Sequence, residues 1–199
     1  MSGGNSIKII LLGESGVGKT NIINVALNKG FEQNSISSVH SSFLEGILDY
    51  DNKQYPYALW DTAGQEIYRS LNKIFIKGSK IIIFVYAIDN KYSFSQLEYW
   101  INNAKDTLGE GKYVMAILGN KTDLFEEQTV PNEDAKKLAE QYKMKFTTTS
   151  ALLDKVGIQK FLKELIIDYV NLIDPEEENN ICLKLKNQTK ENQKKKKFC

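Results

Sequence analysis

The chain has 199 residues, 42% of them hydrophobic and 26% charged, which suits one globular domain with a real core and a short tail. A net charge of +1 gives no reason to expect nucleic-acid binding. Two cysteines, Cys182 and Cys199, both close to the C-terminus, exclude a disulfide framework, and the longest apolar run, Ile81 to Ile88, is far too short to cross a bilayer.

Residues Met1 to Ser6 show no signal-peptide pattern, and no glycine follows Met1 as myristoylation requires, so the chain is expected to begin life in the cytosol. Ile7 to Leu12 is a short apolar run of the kind a buried strand uses. It leads into Gly13-Glu14-Ser15-Gly16-Val17-Gly18-Lys19-Thr20, which fits G-x-x-x-x-G-K-[ST], and then into Asn21 to Leu27, whose apolar spacing predicts a helix. A glycine-rich loop between strand and helix can turn its N–H groups on a di- or triphosphate at the helix start. Lys19 would reach the outer phosphates, and the Thr20 hydroxyl would ligate magnesium.

Lys29 to Ser42 is polar and aperiodic and reads as a loop. Phe43 to Tyr50 and Gln54 to Trp60 flank Asp51-Asn52-Lys53 and predict a hairpin. Directly after Trp60 comes Asp61-Thr62-Ala63-Gly64-Gln65. An aspartate at a strand end beside a phosphate loop can hold magnesium, and Gly64 can offer its amide to a γ-phosphate. Lys80 to Ile88 is nearly all apolar, as a strand covered on both faces should be. Tyr92 to Leu108 is expected to be helical, Tyr113 to Gly119 a buried strand, Pro131 to Tyr142 a helix, and Lys145 to Thr149 the last strand. The final helix is expected from about Val156 to Leu172, with Ile158, Leu162, Leu165, Ile166 and Tyr169 as its buried stripe. Asp174-Pro175 should end it.

Asn120-Lys121-Thr122-Asp123 follows the fifth strand-like run. A carboxylate there accepts hydrogens from the N1 and N2 edge of guanine, whereas adenine would leave Asp123 unpaired, a discrimination of roughly 10⁴-fold. Asp123→Asn is therefore expected to cripple GTP binding. Ser150-Ala151 follow the last strand, where backbone amides can meet guanine O6. Strands alternating with helices imply a doubly wound α/β fold with ligand loops at the carboxyl ends of the strands.

Together and in this order, these motifs resemble the Ras superfamily of small GTPases over about Ile7 to Leu172, and within it the Rab branch. The resemblance implies a mostly parallel six-stranded sheet with one antiparallel edge hairpin and helices on both faces. It implies GTP or GDP with Mg²⁺ as ligands and slow GTP hydrolysis, on the order of 10⁻⁴ per second until a partner supplies charge. Gly13, Ser15, Gly16, Val17, Gly18, Lys19 and Thr20 would hold the phosphates. Asn120, Lys121, Asp123, Ser150 and Ala151 would hold the base, with the Lys121 stem packed along its plane. Phe31 matches the aromatic that lies against guanine or ribose. Ser38 matches the switch threonine that closes on magnesium and the γ-phosphate, so that Thr20, Ser38 and Asp61 form the metal set. Gln65 matches the glutamine that orients the attacking water. Phe43, Trp60 and Phe75 match an aromatic trio that presents a state-dependent effector surface, although Trp60, lying in a strand, can equally serve as core.

The chain departs from the Rab pattern at Ser38 (usually threonine), His40 (usually glycine), Ser41-Ser42, Ile67 (usually arginine) and Leu152 (usually lysine). None of these removes a phosphate or guanine contact. Arg69, the only arginine, matches a switch-helix position, so a GTPase-activating protein is expected to act in trans. An exchange factor, a GDP-dissociation inhibitor, prenylation machinery and effectors on the switch loops are the other implied partners, and the protein is expected to be a monomer. Domain residues 1–175 should precede a flexible tail, 176–199, that carries seven lysines against four glutamates. It ends Lys194-Lys195-Lys196-Lys197-Phe198-Cys199. One lipid on Cys199 plus this polybasic patch can hold a membrane where one lipid alone is marginal. The expected role is a membrane-associated switch in vesicle trafficking, on the cytosolic face of an endomembrane. A guanine-nucleotide scaffold that scarcely hydrolyses, and an ATP-using P-loop enzyme, are the alternatives.

Overall fold

A computed structural model describes residues 6–31, 42–61 and 72–181. In chain order the elements are β1 (Ile7–Leu12), α1 (Lys19–Ala26), β2 (Ser42–Tyr50), β3 (Lys53–Asp61), α2 (Asn72–Ile76), β4 (Ile81–Ala87), α3 (Lys91–Ser95), α4 (Leu97–Leu108), β5 (Val114–Asn120), a 3₁₀ stretch (Thr122–Glu127), α5 (Asn132–Gln141), β6 (Lys145–Thr148) and α6 (Lys155–Leu172). The six strands form one sheet in the order β2-β3-β1-β4-β5-β6. β2 and β3 pair antiparallel and every other pair is parallel, as expected.

Both faces of the central strands are buried, which explains their near-continuous apolar sequence. Period-two alternation divides them: Ile7, Ile9 and Leu11 of β1 with Ile81, Ile83 and Val85 of β4 pack against α1 and α6. Ile10 and Leu12 with Ile82, Phe84 and Tyr86 pack against α2, α4 and α5. The predicted stripe of α6 is buried throughout, joined by Phe161 and Val170. The Asp154 carboxylate caps this helix by accepting from Gly157 N at 2.8 Å.

The hairpin turns on Asp51 and Asn52, whose φ of 49° and 58° suit a two-residue turn that follows the twist of its strands. The helix expected over Tyr92 to Leu108 is two helices, because the chain breaks at Gln96. Asn90 starts the first of them by accepting from Ser93 N, and the Ser93 hydroxyl in turn bonds Ala87 N and Asn90 O, tying the helix to the end of β4.

Asp174-Pro175 ends α6, but it also starts a further helical segment, 175–181, where a flexible tail was expected. Asp174 caps that segment through Glu177 N at 2.9 Å, and proline suits the first helical position. Ile181 packs against the α1/α6 side of the core. Among the described residues no helix is long and apolar enough to cross a membrane.

Candidate nucleotide site

β1, β5 and β6 deliver three loops, and β3 its last residue Asp61, to one edge of the sheet at their carboxyl ends, where open α/β sheets bind ligands. The loop after β1 turns on glycines. At Gly13 (φ 152°) a Cβ would lie 2.1 Å from Val85 O, and at Gly18 (φ 95°) one would lie 2.3 Å from Asn120 Nδ2. The loop is thus pressed against β4 on one side and β5 on the other, with backbone angles that side chains disfavour. Ser15 and Gly16 stand exposed at its tip, and Val17 turns inward.

Lys19 is almost fully buried at the start of α1, and its Nζ donates to Gly13 O at 2.8 Å and Glu14 O at 2.9 Å. The ammonium is therefore curled into the loop that the motif assigns to phosphate. The next residue, Thr20, donates its hydroxyl to Asp61 Oδ2 at 2.8 Å, and Asp61 is itself buried. Two oxygen donors from α1 and the end of β3 thus converge on one point, and hard oxygen ligands of this kind suit magnesium.

On the far side, Asn120 joins three loops. Its Nδ2 donates to Val17 O at 2.8 Å, and its Oδ1 accepts from Ala151 N at 3.0 Å. Lys121 adopts a left-handed conformation (φ 68°), which turns the chain so that Asp123 meets the loop after β6. There the Ser150 hydroxyl donates to Asp123 Oδ1 and accepts from Leu152 N and Leu153 N at 3.2 Å each. Thr122 N to Thr149 O and Thr149 N to Gly119 O close the same junction. Lys121 Nζ reaches Asp89 Oδ2 at 3.4 Å, and Asp89 Oδ1 is buried without a protein partner among the described residues. Phe31, five residues past the end of α1, is 39% exposed.

The structure brings Lys19, Thr20 and Asp61 together, and Asn120, Asp123, Ser150 and Ala151 together. Ser38, His40, Gly64, Gln65, Ile67 and Cys199 lie outside the described residues. Phe43 and Trp60 are cross-strand partners with stacked rings, centroids 5.1 Å apart. Phe43 is exposed, whereas Trp60 and Phe75 are partly buried and pack on the α4/α5 side of the core. Lys8 Nζ sits 4.7 Å over the Trp60 ring, so this tryptophan serves as core on one face and as platform on the other.

One contact had no local signal. Glu14 Oε1 accepts from Trp100 Nε1 at 3.1 Å, which ties the phosphate-type loop to α4 across 86 residues of sequence. A nearly buried tryptophan needs a partner for its N–H, and that requirement is the only hint the sequence carries.

The family model described as the Ras family matches residues 8–171. The chain belongs to that family, and is a GTPase that binds guanine nucleotide. Three of its relatives illustrate the likeness, each with a Rab name. Ras-related protein Rab-22A of Homo sapiens is 36% identical over 145 residues, covering 73% of this chain and 74% of that protein. Ras-related protein Rab-31 of Rattus norvegicus is 34% identical over 174 residues, 87% and 88% of the two chains. Ras-related protein Rab-21 of Geodia cydonium is 37% identical over 155 residues, 78% and 67% of the two. The chain is a Rab-family small GTPase.

Proposed function

We propose that this GTPase is a membrane-associated switch in vesicle trafficking, with the loop from Gly13 to Thr20 as its phosphate site and Asp123 as its guanine reader. The observation that carries this reading is the junction made by Asn120, which holds the phosphate-type loop and the two base-type loops in one arrangement. Lys19 and the loop amides stabilise charge on the β- and γ-phosphates, which is where the transition state of phosphoryl transfer accumulates it. Thr20 and Asp61, with Ser38, would hold magnesium, which when bound neutralises phosphate charge. Gln65 orients the attacking water, and Gly64 offers its amide to the γ-phosphate. Gly13, Ser15, Gly16, Val17 and Gly18 wrap the phosphates, while Phe31, Lys121, Ser150 and Ala151 enclose the nucleoside.

GTP draws the segments bearing Ser38 and Gln65 inward, and hydrolysis lets them go, so a surface formed by Phe43, Trp60 and Phe75 reports nucleotide state to effectors. An activating protein supplies charge in trans, since the chain's single arginine lies elsewhere in the motif. An exchange factor, a GDP-dissociation inhibitor and prenylation machinery complete the cycle, with Cys199 as the lipid site and the lysine tail as its electrostatic support.

Single-turnover GTP hydrolysis tests the catalytic assignment. Gln65→Leu should slow the reaction at least tenfold in the presence of an activating protein. An equal rate in the two proteins would leave a guanine-nucleotide scaffold as the better description.

A further inference from the structure

At the pole of the sheet opposite the nucleotide edge, lysines stand at or just before the starts of four strands. Lys53 opens β3, Lys80 precedes β4, Lys112 precedes β5 and Lys145 opens β6. Each meets a carboxylate from the C-terminal part of the chain, and the pairing runs in strict reverse order. Lys145 pairs with Asp168 at 2.7 Å, Lys112 with Asp174 at 2.8 Å, Lys80 with Glu177 at 3.1 Å and Lys53 with Glu178 at 2.9 Å. Residues 168–178 therefore cross the strand starts from β6 to β3 as a strap. Two tyrosines fasten its end: Tyr169 donates to Glu177 Oε1 at 3.0 Å, and Tyr55 donates to Glu178 Oε1. β1 lies between β3 and β4 but adds no rung, because Lys8 donates instead to Lys77 O and covers Trp60.

Asp168 is fixed within α6, but Asp174, Glu177 and Glu178 lie beyond it. The three lysines they cover keep 39% to 44% of their side-chain surface in solvent. Ion pairs of that kind are individually weak and are screened by salt. An acidic surface can therefore replace the strap's carboxylates on the same ammonium groups, and what it must offset is the two tyrosine hydrogen bonds and the Ile181 contact. The lysine-rich residues 184–197 begin six positions after the strap's last residue.

We propose that Lys53, Lys80 and Lys112 form a second face for an anionic membrane surface, and that residues 174–178 occupy it as a built-in competitor. The proposal deepens the membrane-switch reading and rests on it. When the strap lifts, three lysines stand uncovered on one pole. The nucleotide edge and the Phe43–Trp60 platform then point away from the lipid, because they lie at the other ends of β2 and β3. The acidic strap, with Asp174, Glu176, Glu177 and Glu178, is repelled from the same surface, so the exchange reinforces itself.

The test is partition of the full-length, unlipidated, nucleotide-bound chain onto phosphatidylcholine vesicles with and without phosphatidylserine. Glu177→Gln with Glu178→Gln should raise binding to the serine-lipid vesicles, by about fivefold for each lysine that reaches the surface. The pair Glu133→Gln and Glu140→Gln on exposed α5, with the same charge change, should raise it far less. Adding Lys53→Gln, Lys80→Gln and Lys112→Gln should erase the excess, whereas Lys136→Gln, Lys137→Gln and Lys160→Gln should not. Equal gains from both glutamate pairs, or an excess that survives loss of the three lysines, would overturn the proposal. Retained nucleotide binding certifies that each variant is folded. Failure of the lipid-anchor reading would show separately, as a tagged Cys199→Ser chain that still reaches the same organelle as its parent.

Discussion

Asn120 performs at residue scale what the candidate site requires of several loops. Its amide donates to Val17 O and accepts from Ala151 N, and both contacts are buried. Asn120→Ala would leave an acceptor and a donor without partners, at about 1–3 kcal/mol for each. We expect a lower melting temperature in thermal denaturation and faster release of a fluorescent guanine nucleotide, with the second effect the larger. A protein that melts lower but holds nucleotide as before would make Asn120 a purely structural residue. Lys19, Thr20, Asp61, Asn120, Asp123 and Ser150 were legible in the sequence because each sits at a fixed offset from a strand end. Fixed offsets work there because a strand end points its next few residues in a known direction. The curl of Lys19 into its own loop was not legible, since it depends on how the backbone folds around the ammonium.

At the scale of elements, α4 is coupled to the phosphate-type loop through the bond from Trp100 to Glu14. Trp100→Phe keeps much of the packing and removes the donor, so stability should fall by about 0.5–1.5 kcal/mol plus a smaller packing term. Nucleotide dissociation should quicken if the bond steadies the loop, and stopped-flow release measures it. The order of strands and helices was readable from periodicity, because α6 and the central strands bury whole faces. The break at Gln96 was not, since no proline or glycine marks it in the sequence. The segment 175–181 escaped for another reason. Its sequence is polar and acidic, and what orders it is a set of partners contributed by β3, α6 and Lys80 just before β4. Proline after aspartate reads as a stop when only the preceding helix is considered, and as a start when the cap it makes is considered too.

For the whole molecule, the strap makes the fold sensitive to pH at both extremes. Hydrogen bonds from Lys112 to Asp174, and from Tyr55 and then Lys53 to Glu178, hold both carboxyls below their ordinary values. Groups depressed on folding stabilise the docked state above their unfolded pKa, and that stabilisation is lost as pH falls through the folded value. Burial, then the Glu177 hydrogen bond, pushes the Tyr169 hydroxyl upward. Its contribution is complete below the unfolded value near 10 and is lost as pH rises through the folded one. Hydrogen exchange of residues 175–181, corrected for intrinsic rates, should therefore be slowest between these limits. It should accelerate below the carboxylate range while the amides of β4 stay protected. Simultaneous loss of protection in both would show the strap to be part of the global unfolding unit.

The β2–β3 ladder runs through nine residue pairs without a bulge, from Tyr50 and Lys53 at the turn to Ser42 and Asp61 at the open end. Its open end is a single rung. The segment that carries Ser38 enters through one side of that rung, and the segment that carries Gln65 leaves through the other, with backbones about 5 Å apart. The roots of the two segments cannot move independently. Whatever tilts the ladder at its turn, where Lys53 and Tyr55 meet Glu178, tilts both roots together, as a beam carries two posts fixed to the same end.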